Sequence, residues 1–111
     1  MYVLPNVNLR TPVRVLIANV GAQPLTPSLR LFHTNGREVR AEAFQLSPRP
    51  GAIPANGTWL STLTFLDVGV GSEPIDGQVQ VTFDGDEANA AVQYEYDQVV
   101  RATVRLNAVR V

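Results

Sequence analysis

The sequence contains no cysteine, no lysine and a single histidine. Without cysteine, disulfides, thiolate metal ligands and thiol nucleophiles are excluded. Charged residues make up only 17% of the chain, against a usual value of about 25%, and the net charge is −1. Such a balance provides no electrostatic attraction to nucleic acid or to an anionic membrane. A surface with so few charges is typical of a chain that is covered in an assembly.

Long hydrophobic runs are also missing. The first residues, MYVLPNVNLR, have neither a charged start nor an apolar core, so we predict no signal peptide. No segment reaches the roughly 18 consecutive apolar residues of a membrane span. The localisation stays open on this basis, with a virion or a cell surface among the options. The length fits one domain, residues 1–111.

Apolar and polar residues alternate with a period of two along the chain, and glycine or proline lies in the gaps. About eight short strands and no helix are predicted. The pattern favours an all-β fold, a two-sheet antiparallel β-sandwich of immunoglobulin or fibronectin III type. A small barrel or a jelly roll is the alternative. Trp59 is the predicted central aromatic residue of the core.

Three local signals refine this prediction. The Asn35-Gly36 pair predicts a two-residue type I′ hairpin turn, because both residues accept positive φ. The apolar positions then shift by one at Phe44, which predicts a β-bulge. Pro5 predicts the end of the opening strand. The segments 13–20 and 58–66 are apolar on both faces, so we expect both faces to be covered.

No sequence motif for catalysis or cofactor binding is present, and we predict a protein that is not an enzyme and holds no cofactor. His33 lies two residues before the tight turn, and its position favours a structural role. The acidic turn Asp84, Asp86 and Glu87 is a weak candidate for a metal site, since carboxylates at alternating positions can converge on Ca²⁺. The same residue types are favoured in hairpin turns by backbone chemistry alone.

The final segment, RATVRLNAVRV, alternates as a strand with no polar tail. We expect its edge to be covered, either by the rest of the sheet or by another copy of the protein. The guanidinium groups on it pair either with glutamates across the sheet, Glu38, Glu42 or Glu95, or with carboxylates of a neighbouring subunit. The candidate interface residues are Arg101, Thr103, Arg105, Val109 and Val111.

Aromatic residues provide the candidates for a ligand site. Tyr94 and Tyr96 share a face of one predicted strand, and with Trp59 they could stack on a sugar or another small ligand. The end loops 47–57 and 67–77 would complete such a site, since binding residues concentrate on loops of a rigid scaffold. Tyrosines in this arrangement also fill cores, with the hydroxyl at the margin.

Three segments, VRVLIANVGAQPLTPSLRLFHTNGREV, IPANGTWLSTLTF and PIDGQVQVTFDGDEANAAVQYEYD, resemble the sensory rhodopsin transducer-like proteins and related β-sandwich modules of bacterial surface proteins. The resemblance spans residues 12–97 and consists of strand order, an N-x-G corner and a P-A loop. It implies a non-catalytic sandwich, often oligomeric, that binds small ligands or sugars. The longer 47–57 loop and the final strand depart from the pattern.

Two functions from different classes follow. The first is a non-enzymatic structural or assembly module that forms homo-oligomers or contacts within a larger particle, such as a phage capsid or tail decoration or a bacterial surface subunit. The second is a β-sandwich module that binds a carbohydrate or another small ligand. A concave pocket lined by the aromatic residues would favour the second function, and interior rings would remove its main support.

Overall fold

The computed structural model describes residues 1–8, 11–66, 76–97 and 103–111. The strands in these ranges are β1 (Tyr2–Asn8), β2 (Val13–Asn19), β3 (Thr26–His33), β4 (Phe44–Ser47), β5 (Thr58–Phe65), β6 (Asp76–Asp84), β7 (Ala90–Asp97), β8 (Thr103–Asn107) and β9 (Val109–Arg110). Two single turns of 3₁₀ helix, Ala41–Ala43 and Glu87–Asn89, are the helical segments of these ranges. No helix in these ranges is long and apolar enough to cross a membrane.

The strands form two antiparallel sheets, which confirms the predicted sandwich. One sheet has the order β3-β6-β1-β9 and the other has the order β4-β5-β2-β7-β8. The pairs β1–β6 and β2–β7 lie inside the two sheets, with β8 beside β7. This arrangement matches the B–E and C–F–G pairing of immunoglobulin-type sandwiches, with β9 in the position of the A strand.

The core lies between the two sheets and is built from the alternate residues of each strand. Val13, Val15 and Ile17 of β2 are buried, and so are Val79 and Val81 of β6. Because successive side chains of a strand point to opposite faces, this alternation fixes which residues face the other sheet. Trp59 is also buried, as predicted.

Two of the local predictions are wrong. The turn at Asn35 and Gly36 is not type I′, because only Gly36 has a positive φ, +87°. Gly36 N donates to His33 O at 2.9 Å, and His33 N donates to Arg37 O at 2.9 Å. The loop therefore has three residues, a turn followed by a glycine bulge. The parity shift before Phe44 marks the 3₁₀ turn Ala41–Ala43 and not a bulge within one strand.

The prediction for Pro5 is also wrong, because β1 continues to Asn8. The pairing of β1 with β6 is irregular between Leu4 and Val7. Proline lacks a backbone N–H, so it fits where the ladder is interrupted. The sequence predicted an irregular strand at Phe44, whereas the structure has its register shift in β1, between Leu4 and Val7.

The C-terminal segment crosses from one sheet to the other. Strand β8 pairs with β7, Ala108 N donates to Val92 O at 3.0 Å, and β9 then pairs with β1. Val111 N donates to Met1 O at 2.8 Å. We expected the edge of this segment to be covered. One edge of β8 and one edge of β9 are indeed covered, each by a neighbouring strand of the chain's own sheets.

Candidate interaction surface

The outward-facing side of the five-stranded sheet has an unusual composition, and we call it the outer face. Residues Leu16 and Ala18 of β2 are half-buried there, and Leu60 of β5 is 54% exposed. Leu16 lies directly opposite Leu60 on one side and Gln93 on the other. Strands β2 and β5 are apolar on both faces. One face of each strand lies in the core, and no other part of the described residues covers the opposite face.

The charged groups of the outer face form one row across three strands. Arg14 Nε donates to Glu95 Oε1 at 2.6 Å, and its two terminal nitrogens donate to Asp97 at 3.0 and 3.3 Å. Arg105 donates to Glu95 Oε2 from Nη2 at 2.9 Å and from Nε at 3.1 Å. Thr103 donates to Asp97 at 3.0 Å. The row is a closed network with two positive and two negative charges.

The network perturbs the ionisation of its own members. Hydrogen bonds from Arg14 and then from Arg105 lower the pKa of Glu95. Hydrogen bonds from Arg14 and then from Thr103 lower the pKa of Asp97. The bonds to Asp97 and then to Glu95 raise the pKa of Arg14. Both carboxylates are therefore ionised throughout the neutral range, where the row has no net charge.

A shallow groove of about 80 Å³ runs between the apolar residues and the charged row. Leu16 and Leu60 contribute apolar walls, and guanidinium groups lie along one border. The volume is close to that of one aliphatic side chain and well below the roughly 300 Å³ at which typical small-molecule pockets begin. The groove is lined by Arg14, Leu16, Leu60, Gln93, Tyr94, Glu95 and Arg105.

The candidate interface residues of the C-terminal segment do not share one surface. Thr103 and Arg105 belong to β8, and Arg105 pairs with Glu95 of its own chain, one of the partners that the sequence predicted. Val109 belongs to β9 in the other sheet, where it lies opposite Val3, and Val111 is 77% exposed beyond it. Arg101 lies outside the described residues.

The aromatic candidates for ligand binding are mostly interior. Trp59 is 9% exposed and Tyr94 is 3% exposed, and Tyr96 is half-buried beside them on the inner side. Burial raises the pKa of Tyr94. Since stacking on a sugar needs an open ring face, these rings do not form an aromatic ligand site in the described residues. Residues 67–75 of the predicted loop 67–77 lie outside the described residues.

The acidic turn has structural partners for two of its carboxylates. Asp86 Oδ1 accepts a hydrogen bond from Ala88 N at 3.0 Å and caps the 3₁₀ turn. Glu87 contacts the N-terminal ammonium group. In the described ranges no group of three acidic, histidine or cysteine residues could hold a metal ion, so Asp84 belongs to no such group. His33 is buried, and its ring lies edge-on to Phe65 with centroids 6.3 Å apart.

Leu16, Leu60 and Arg14 were not predicted as a site from the sequence. The signal was present in the two-sided apolar pattern of segments 13–20 and 58–66. Pairing between these strands, and the row from Arg14 to Arg105, depend on a register that local patterns do not contain.

No protein-family model, curated protein or solved structure matches this chain. The resemblance to the sensory rhodopsin transducer-like proteins therefore stays a prediction from the sequence.

Proposed function

We propose that this protein is a non-enzymatic assembly module that associates with a second copy through the outer face. The observation that carries this proposal is the groove beside Leu60, an exposed leucine that lies next to a recess of the size of a side chain. In a two-fold arrangement the same patch is used by both partners, so Leu60 of each copy can enter the groove of the other.

The area of the outer face sets the strength of the contact. Strands about 4.8 Å apart and about 20 Å long give five strands a footprint of roughly 400–500 Å². Two such faces cover roughly 1,000 Å², the lower limit for a specific interface. We therefore expect a weak, concentration-dependent dimer and not an obligate one.

The charged row supports this use of the outer face. An unpaired charge at the border of an interface is costly to desolvate, whereas Arg14, Glu95, Asp97 and Arg105 already pair with one another. The low charge content of the chain fits the same use. A weak contact of this kind suffices where many copies are held at high local concentration. Decoration of a phage capsid or tail, or a bacterial surface layer, provides such a setting.

Sedimentation of the protein from micromolar to millimolar concentration tests the proposal. Wild-type protein is expected to shift from monomer to dimer, and Leu60→Arg is expected to stay monomeric. The matched control is Val109→Arg, because Val109 is 53% exposed but lies in the other sheet. Both side chains point outward, so circular dichroism and thermal unfolding should match wild type for each variant. A wild-type monomer at every concentration, or a Leu60→Arg dimer, would overturn the proposal.

The alternative function, binding of a carbohydrate or small ligand, depends on Trp59, Tyr94 and Tyr96. Their positions in and beside the core leave it without a favouring observation.

A further inference from the structure

The exposed leucine and the groove of the outer face lie on different strands. Leu60 of β5 is directly opposite Leu16 of β2, and Leu16 is directly opposite Gln93 of β7, so the three residues form one row across the sheet. The groove is centred over β7, because three consecutive residues of that strand, Gln93 to Glu95, line it. Arg14 and Leu16 of β2 form its border on the side of Leu60.

The displacement from Leu60 to the groove is mainly across the strands. Strands β5 and β7 flank β2, so the groove centre lies two strand spacings from Leu60, roughly 10 Å. The groove extends from the row of Leu16 to the row of Arg14, two residues away, so its centre lies only about 3 Å from Leu60 along the strands. The component across the strands is therefore about three times the component along them.

This displacement determines the direction of a two-fold axis. In a face-to-face pair of copies the axis lies in the plane between the two faces. Leu60 of each copy reaches the groove of the other only when the axis bisects the displacement at a right angle. Such an axis runs along β2, within about 20° of the strand direction, and passes beside Leu16. An axis across the strands would instead place Leu60 over β5 of the second copy, away from its groove.

The distribution of charge on the outer face agrees with an axis along β2. The charged residues of the face lie on β2, β7 and β8, whereas β4 and β5 contain no charged residue. Rotation about β2 brings β7 and β8 of one copy over β5 and β4 of the other. Glu95 then lies over the strand that contains Thr62 of the second copy, whose hydroxyl can donate to a carboxylate. The two copies of Arg14 meet beside the axis, and each is already bonded to Glu95 and Asp97.

We propose that the outer-face dimer is parallel, with its two-fold axis along β2. This inference rests on the proposed function and specifies how the two copies face each other. A rotation about the strand direction leaves that direction unchanged, so β2 points the same way in both copies. The corner at Val20, whose N donates to Asn89 O at 2.9 Å, then lies at the same end of both copies. The dimer therefore presents two identical ends to one side, which allows bivalent attachment to a larger particle.

Spin labels on single-cysteine variants test the arrangement, because the chain contains no cysteine of its own. Val20→Cys marks the end of β2 at a position that is 68% exposed, and Asn107→Cys marks β8 in the row of Leu16. In the parallel dimer the two Asn107 sites lie four strand spacings apart, roughly 20 Å, and the two Val20 sites lie closer together beside the axis. An axis across the strands reverses this order: the Val20 sites are then eight residues apart, roughly 27 Å, and the Asn107 sites lie beside the axis.

Dipolar electron paramagnetic resonance measures both distances at a concentration where sedimentation shows the dimer. We expect the shorter distance between the Val20 labels, and each labelled site decides the question alone. Adding Leu60→Arg to each labelled variant is the control, and it should abolish the coupling between labels. A wild-type monomer at every concentration would overturn the proposed function and this inference together. A dimer with the shorter distance between the Asn107 labels, or coupling that persists with Leu60→Arg, would overturn the parallel arrangement.

Discussion

Replacement of Asn19 by aspartate tests how the two loops at one end of the sandwich are held. Asn19 is 1% exposed at the end of β2. Its Nδ2 donates to Gln23 O at 2.8 Å, to Ile53 O at 3.0 Å and to Pro54 O at 3.3 Å. Its Oδ1 accepts from Gly21 N at 3.0 Å. One buried amide therefore joins the corner after β2 to the loop that precedes β5.

Asn19→Asp keeps the shape and the acceptor for Gly21, and it removes the donor. The introduced carboxylate then faces the carbonyl oxygens of Gln23, Ile53 and Pro54. Loss of donors to buried groups costs about 1–3 kcal/mol, and an unpaired buried charge brings the expected total to about 3–5 kcal/mol. That is a large part of the 5–15 kcal/mol typical of a whole domain. At about 4 °C per kcal/mol, we expect the melting temperature to fall by roughly 12–20 °C.

The cost should also depend on pH. The introduced group is harder to ionise when folded than in the unfolded chain, where the aspartate pKa is about 3.9. The folded form is therefore disfavoured progressively as pH rises above about 4, and the deficit shrinks at lower pH, where a protonated carboxyl can donate. Urea unfolding at pH 4 and pH 7 measures both free energies. Asn6→Asp makes the same change at an exposed position and is the control. Equal stability of Asn19→Asp and wild type at pH 7 would refute this reasoning.

Two further predictions follow from the same contacts. Glu95→Gln removes a carboxylate whose pKa is lowered by Arg14 and then Arg105, so its contribution is present above the unfolded pKa of about 4.3 and is lost as pH falls through the folded pKa. Unfolding titrations should show a less stable variant at pH 7 that converges on wild type in acid; a constant difference would contradict this. Gly77→Ala places a Cβ 2.0 Å from Phe32 O, so the paired backbones of β3 and β6 must separate, at a cost of about 3 kcal/mol or more. Gly51→Ala, which meets nothing within 4 Å, is the control, and equal melting temperatures for the two variants would count against the close approach.

The sequence predicted the strands better than their connections. Alternation in β6 showed which side chains enter the core, because this periodicity is a local property of an extended chain. Strand β2 is apolar on both faces, so its sequence did not show which face is turned to the other sheet. The sequence also contained the Asn35-Gly36 turn but not its type, since the hairpin uses Gly36 alone at positive φ. The shift at Phe44 looked like a bulge because a 3₁₀ turn and an extra strand residue change the apolar parity in the same way.

The candidate surface was less predictable than the fold. Arg105 and Glu95 were matched from the sequence among several options, whereas Arg14 and Leu60 gained their roles from strand pairing. Asn19 gives no sequence signal of its burial, because two of its acceptors, Ile53 O and Pro54 O, belong to a loop more than thirty residues away.

The amino-acid sequence by itself determined that this chain forms strands, which face of a strand with a single apolar face, such as β6, enters the core and where the Asn35-Gly36 turn falls, since these depend on neighbouring residues. Only the tertiary structure decided that β8 and β9 belong to different sheets and that Arg14, Glu95 and Arg105 form one row. The physical reason is register: a shift of one residue between distant strands moves every side chain to the opposite face, and that choice is made by the packing of the whole sandwich.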